Sequence, residues 1–213
     1  MKGKTKRGNI IGVVDASTYH PTPHTQSLFH ELGLIYSPTL VFSASCQAFQ
    51  NLSISTLSFY CDDPEGYERS SKKYASRISR NYVAPGTIKW ISEEIGYGYF
   101  ATQDVFKGEM VGEYTGKIRR RSEFENSVYA WAYPKGGAFQ KTLPEGTYLD
   151  ARTYGNETRF INHHDTPNLK TEQVFHNGHW HFIYVADRYI QRGEEFLVSY
   201  GQKYWRKRRK LEW

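Results

Sequence analysis

The sequence predicts a mainly β protein with short helices, and three observations carry that expectation. Beyond Pro85 the chain breaks into short runs of β-branched and aromatic residues separated by glycine turns. Asn177-Gly178 sits inside one such run, and this dipeptide is the strongest short-range sign of a β-hairpin. The clearest helical spacing follows Asp63, so the alternation of strands and helices that builds a doubly wound sheet is missing. Of 213 residues 38 % are hydrophobic, and with 18 glycines added the share is usual for a globular protein. The length suits one compact domain, or one domain with a smaller lobe.

Residues 1–20 read as a flexible basic N-terminus with Lys2, Lys4, Lys6 and Arg7. The apolar stretch 10–14 is too short for the core of a signal peptide, which leaves export without a cleaved signal open. Residues 21–87 read as an N-terminal lobe, with a short helix over 26–33 ending at Gly33. An amphipathic helix near 64–81 starts at Asp63-Pro64-Glu65, a capping residue followed by proline and an acid in the first turn. Tyr67, Tyr74, Ile78 and Tyr82 share one face, as a core-facing stripe or a partner-docking face, and Arg69, Lys72, Lys73, Arg77 and Arg80 occupy the others. The helix stops before Pro85-Gly86. Strands then follow over 88–95, 99–102 and 109–115, and a short surface helix over 119–126. Residues 129–133 alternate large and small, as a half-buried strand does. A hairpin over 174–185 and a strand over 195–200 complete the β-rich part, and 206–213 form a basic tail.

The formal charge is +6, but the two basic clusters at the ends carry +4 and +5, more than the whole of it, and the body between them is mildly acidic. A compact nucleic-acid reader spreads its basic residues over a folded face. Basic arms act instead as solvated extensions, weak phosphate binders or targeting signals. No run approaches the ~20 apolar residues of a membrane span, so the chain reads as soluble with no membrane partner. Cys46 and Cys61 cannot build a disulfide framework. His176, His179 and His181, with His163 and His164, lack a convergent metal-ligand spacing, so no metal is expected. Gly96-Tyr97-Gly98-Tyr99-Phe100-Ala101 fits a dinucleotide pattern, but the run continues as strand and offers no helix N-terminus to a pyrophosphate. Two glycines around an aromatic still let the backbone approach a ligand closely, or make a plain turn.

The strongest signal is an ordered set of blocks: Gly96-Tyr-Gly98, Gly112-Glu-Tyr-Thr-Gly116, Tyr148-Leu-Asp150, Gly155-Asn156, Arg159-Phe-Ile-Asn162-His163, Pro167-Asn168-Leu, and Gly193-Glu-Glu-Phe-Leu-Val-Ser-Tyr200-Gly201. This order and spacing closely resembles the SET-domain protein-lysine methyltransferases over residues 88–205, and is most similar to the bacterial, chlamydial-type members. The resemblance implies a fold of several small sheets with a threaded, pseudoknot-like C-terminal segment, beside a helical N-terminal lobe. It implies S-adenosylmethionine as cofactor and lysine side chains as acceptors, plausibly on histone or histone-like basic tails. By motif position Tyr200 matches the catalytic tyrosine and Tyr129 a residue lining the lysine channel, with Tyr133 as its rival. Gly96, Tyr97 and Gly98 match the loop that receives the methionine portion of the cofactor. Asn162 and His163 match the cofactor-binding pair, with Arg159 and Phe160 just before them. Trp205 either closes the adenine side by stacking or anchors the last segment. Tyr114 and Asp150 fit motif positions as mainly structural residues.

The chemistry agrees with an aromatic-lined site. A lysine of pKa ~10.4 costs about 4 kcal/mol to present uncharged near neutral pH, and a dry aromatic channel lowers that cost by disfavouring the ammonium. Aromatic faces also tolerate the methylated cation. The sequence departs from many relatives in lacking cysteine-rich zinc clusters, in Ser199 before the tyrosine and in His164 after Asn-His. Val198 stands where relatives often carry a bulky aromatic, which leaves room for a di- or trimethylated product. The chlamydial-type resemblance implies a bacterial effector carried to a host nucleus by its basic tail, or else a protein of the bacterial cytoplasm. The alternative function is a catalytically silent SET module that binds a protein or nucleic acid through its basic arms, with a salt-sensitive affinity.

Overall fold

The computed structural model describes residues 19–53, 63–123, 127–133 and 146–205; the basic ends 1–18 and 206–213 and Cys61 lie outside them. Helix α1 (Pro23–Glu31) starts on Thr22, whose side chain accepts from the Thr25 amide, with proline in the first turn. It therefore begins three residues before the expected start. Strands β1 (Ile35–Tyr36) and β2 (Val41–Phe42) follow, and the 3₁₀ turn Ala44–Gln50 buries Cys46 and Phe49. Helix α2 (Pro64–Ser79) is capped by the Asp63 carboxylate on the Gly66 amide at 2.9 Å. Its Tyr74 and Ile78 pack with Met110, Val174, Ile183 and Val185, so the apolar stripe faces the core.

Strands β3 (Gly86–Ser92) and β4 (Gly96–Ala101) form an antiparallel hairpin, followed by β5 (Met110–Glu113). The surface helix expected over 119–126 is corrected by β6 (Lys117–Arg120) and the 3₁₀ turn Arg121–Glu123, with 124–126 outside the described residues. Arg119 and Arg120 register with Tyr148 and Thr147 of β8 (Thr147–Asp150), and β7 (Ala130–Ala132) pairs on the other side of β8. A run of arginines carries no β signal of its own; pairing with β2 and β8 around the fully buried Ile118 decides it. β1 pairs in parallel with β9 (Tyr154–Gly155), so the first fifty residues contribute strands to two sheets formed with later segments.

The hairpin of β11 (Leu169–His176) and β12 (His179–Ala186) is longer than expected, eight residues on each side. Asn177 and Gly178 have φ of 47° and 83°, as the tight two-residue turn requires. This hairpin lies in a five-stranded sheet of order β10-β13-β11-β12-β5, where β10 is Asn162–His163 and β13 is Leu197–Val198. The strand expected over 195–200 shrinks to two residues because the run is shared between sheets. The Phe196 amide bonds to Tyr99 of β4, and the next two residues enter the larger sheet.

His163 and Leu169 both register with Val198, on opposite sides of β13 and both in parallel. The five residues 164–168 that join them therefore cross over β13, and the closing strand is threaded beneath that link. Asn168 fixes the crossing, donating from Nδ2 to the Glu195 carbonyl at 2.7 Å and accepting from the Leu197 amide at 2.8 Å. Such threading is rare among protein connections. It brings the Asn162–His163 block, the start of β4 and the Tyr200 segment to one junction, closed by the short helix α3 (Gln202–Trp205).

Candidate active site

Tyr200 is held at both ends by the segment that crosses it. Its hydroxyl donates to the Ile161 carbonyl at 2.9 Å, and its amide donates to His163 Nδ1 at 3.1 Å. That bond assigns the His163 hydrogen to Nε2, which faces Asp165 Oδ1 at 3.4 Å. Around the Tyr200 ring stand Trp131 at 6.3 Å and nearly perpendicular, His163 at 5.4 Å, Tyr204 at 4.8 Å and the stacked Trp205 at 6.5 Å. Burial pushes the Tyr200 phenol far above the ordinary tyrosine range, helped by Tyr204, Tyr129 and Glu195. It remains a neutral hydroxyl at every physiological pH.

Asn162 lies beside the start of β4, near the turn that joins it to β3. Its Nδ2 donates to the Tyr97 carbonyl at 3.1 Å and to Glu195 Oε1 at 2.8 Å. A Cβ on Gly98 would come within 2.5 Å of that same carboxylate oxygen and 2.6 Å of Ile91, so Gly98 is glycine because Glu195 occupies the space. Gly96 has φ of 82° and open space where a Cβ would stand, so here the backbone is accessible. The Tyr97 ring packs edge-on against Trp90 at 5.1 Å and against Phe160 at 6.0 Å.

Phe160 is buried against Phe29, and Arg159 is buried beside it. The Arg159 Nε donates to the Ala151 carbonyl at 3.1 Å, and its guanidinium lies over the Tyr129 ring. Both residues thus support the site from the core side. Tyr129 is 36 % exposed, and its carbonyl accepts from the Tyr114 hydroxyl at 2.8 Å. Its rival Tyr133 is a core residue whose hydroxyl bridges the Trp180 carbonyl and amide. Asp150 is buried 3.8 Å from Arg119, which agrees with a structural part.

The structure therefore gathers Gly96, Tyr97, Gly98, Asn162, His163, Tyr200 and Trp205 at one junction, with Arg159 and Tyr129 adjoining. Sequence reasoning missed Glu195 and Trp131. The first was visible only as an acid of the Gly193-Glu-Glu run, the second only as the middle of an alternating strand. The hairpin histidines are engaged by protein groups: His181 lies between Glu113 and the His176 carbonyl, and His176 between Ser71 and Ser79.

Three features fit a nucleoside-bearing amino acid. The indole Nε1 of Trp205 is buried with no hydrogen-bond partner among the described residues. Its ring lies 4.9 Å from that of His163, which frames an aromatic wall. Beyond it, Asn162 Oδ1 and the second Glu195 oxygen accept from none of the described residues. No helix among the described residues is long and apolar enough to cross a membrane.

A match to the family described as SET domain covers residues 96–201. Among curated proteins, the chain is 33 % identical over 118 residues to "Histone-lysine N-methyltransferase EZH2" of Chaetomium thermophilum, which covers 53 % of this chain and 8 % of that protein. The chain thus spans a small part of the length of that relative. Among solved structures, ATXR5 in complex with histone H3.1 superposes with a TM-score of 0.62 over 84 % of this chain and 86 % of that one. At 18 % identity this is a likeness of fold. ctPRC2 in an autoinhibited conformation bound to S-adenosylmethionine gives a TM-score of 0.50 at 27 % identity, over 62 % of this chain and 18 % of that one. Nothing in these matches points to the chlamydial-type subclass or to a bacterial effector.

Proposed function

Residues 96–201 form a SET domain, and from that premise we propose that the protein transfers a methyl group from S-adenosylmethionine to lysine side chains of a basic protein, with histone tails as the leading substrate class. The observation that carries this reading is the double hold on Tyr200, whose hydroxyl and amide are tied to Ile161 and His163 across the threaded strand.

When bound, the cofactor supplies an electrophilic methyl on a sulfonium, and attack by a neutral amine breaks the carbon–sulfur bond and leaves a thioether. The residues of the chain contribute position and dryness. Tyr200 cannot act as a base, because burial keeps its proton on. With that hydrogen committed to Ile161, its oxygen presents lone pairs to an amine N–H or to a methyl that carries positive charge. Trp131, Tyr129 and Tyr200 form the aromatic lining of the lysine channel; alignment within such a lining removes much of the entropic barrier. His163 and Trp205 flank the adenine, while Gly96 and the Tyr97 carbonyl receive the amino-acid end. Arg159 and Phe160 act from behind this wall. Val198 is buried on β13 between β10 and β11, and we read its small side chain as admitting a second and third methyl group on the product.

The deciding experiment pairs binding with turnover. Calorimetry should show S-adenosylhomocysteine binding both to the natural chain and to Tyr200→Phe. Labelled methyl transfer to core histones should fall at least ~100-fold in the variant, the scale expected when a positioned polar group at a reacting centre is removed. Absence of cofactor binding in the natural chain, or full activity of the variant, would end this assignment.

A further inference from the structure

Glu195 is a carboxylate that neither the fold nor the part given to Tyr200 explains. It precedes β13 and is half-buried, and its backbone is fixed on both sides. Asn168 donates to its carbonyl at 2.7 Å, the next amide bonds to Tyr99, and Glu195 itself bridges to Phe100. Its side chain turns to β4, where Gly98 has no side chain in the way. Among the described residues no cation forms an ion pair with it. Burial holds its carboxyl above the ordinary glutamate value, against the Asn162 bond and the nearby His164.

The amide of Asn162 makes the arrangement one-sided. Both Nδ2 hydrogens are committed, one to the Tyr97 carbonyl and one to Glu195 Oε1. What remains around this amide is acceptors only: Asn162 Oδ1, the second Glu195 oxygen and a further lone pair on the Tyr97 carbonyl. Partly buried acceptors without donors are unfavourable. One negative charge and two neutral oxygens at an amide with no hydrogen left match a primary ammonium, which brings three hydrogens and one positive charge.

We infer that Glu195 is the charge partner of the α-ammonium at the amino-acid end of the methyl donor, with the Tyr97 carbonyl and Asn162 Oδ1 completing the cradle. This rests on the reading of the junction as a S-adenosylmethionine site. It changes the part played by Asn162, whose amide acts toward the ligand as an acceptor and not as a donor. It also sets the direction of the ligand, since the donor's own carboxylate is repelled from Glu195.

Two probes separate this charge contact from general support of the site: S-adenosylhomocysteine, and 5′-methylthioadenosine, which has the nucleoside and thioether but no amino acid. Calorimetry on the full chain should show the first binding more tightly. Glu195→Gln keeps the size and one acceptor but loses the charge. It should weaken S-adenosylhomocysteine about tenfold or more and leave 5′-methylthioadenosine unchanged, while Glu195→Asp recovers part of the loss. Equal weakening of both probes assigns Glu195 a structural part only and overturns the inference, as does unchanged affinity for S-adenosylhomocysteine. If the natural chain binds neither probe, the cofactor site itself is refuted. Should Glu195→Gln fail to fold, the natural chain gives the same decision. Its preference for S-adenosylhomocysteine over 5′-methylthioadenosine must decline as acidification protonates Glu195, and a preference independent of pH overturns the inference.

Discussion

The guanidinium carbon of Arg159 lies 4.5 Å from the centroid of the Tyr129 ring and 4.8 Å from that of Phe160. Arg159 is 8 % exposed, and among the described residues no carboxylate approaches it within ion-pair distance. A fixed positive charge therefore stands behind the aromatic wall of the proposed lysine channel. A second cation nearby is disfavoured, so the field of Arg159 favours the neutral amine that the reaction needs. Arg159→Met should move the rise of kcat/KM with pH about one pH unit to the alkaline side, and Arg159→Lys should restore it. An unshifted profile in a folded Arg159→Met would reduce this residue to packing.

Glu157 ties the N-terminal stretch to the 3₁₀ turn Glu157–Phe160, which also carries Arg159. The hydroxyls of Tyr19 and Tyr36 donate to its two oxygens, each at 3.0 Å, and the residue is 1 % exposed. Burial raises its carboxyl above the ordinary glutamate value, although the two hydroxyls pull it down. The raised value means that the ionised form is disfavoured on folding, so stability gains from this group as pH falls through its folded value. Glu157→Gln should then change stability at pH 7 by no more than about 1 kcal/mol, while Tyr36→Phe costs about 1–2 kcal/mol by stripping a buried acceptor. Urea titrations of both variants check this; a loss above 3 kcal/mol in Glu157→Gln would mean the charge itself is required.

Gly178 is committed twice, by φ of 83° and by space, since a Cβ there would lie 2.9 Å from the Gln50 carbonyl. The Leu52 amide also donates to its carbonyl at 2.7 Å, so the hairpin tip docks on residues 50–52. Gly178→Ala should cost about 2 kcal/mol, more than the ~1 kcal/mol of a simple left-handed glycine. A melting curve indistinguishable from that of the natural chain would show that the tip is free to shift.

What the sequence reveals here is local. The α2 start is written in Asp63-Pro64 and the β11–β12 turn in Asn177-Gly178, because caps and tight turns depend on neighbouring residues. The gathering of Gly96, Asn162, His163 and Tyr200 follows from ordered motifs. The pairing of β1 with β9, more than a hundred residues apart, leaves no local trace, and the same holds for β6, whose arginines read as surface helix. The motif sets Arg159 among the cofactor residues, and a chain pattern cannot show that its charge lies over the Tyr129 ring. Glu195 is illegible for the same reason. Its meaning comes from Asn162 and Gly98, which the fold brings together from three segments.

The imidazole of His181 is buried between two acceptors, with Glu113 Oε1 2.8 Å from Nδ1 and the His176 carbonyl 3.2 Å from Nε2. The ring satisfies both only with a proton on each nitrogen. Burial pulls it toward the neutral form, but the Glu113 charge and hydrogen bond prevail and raise it above the ordinary histidine value. His179, with its ring 4.4 Å away, and His176, at 6.1 Å, are lowered by burial and by the His181 charge. Stability from the His181 pair is therefore complete below pH ~6.5, the unfolded value, and is lost as pH rises through the higher folded value. The two lowered histidines act in the opposite sense, losing stability as pH falls through their folded values. Glu113→Gln removes the pair and keeps its shape, so it should cost about 1.5–3 kcal/mol near pH 6, the scale of a hydrogen bond to a charged group, with the gap to the natural chain narrowing at pH 9. Urea unfolding of the two proteins at both pH values reads the pair together with its coupling to His176 and His179, which the His181 charge lowers in the natural chain. A gap that stays constant would mean that His181 is neutral in the folded protein and that Glu113 holds it by hydrogen bonding alone.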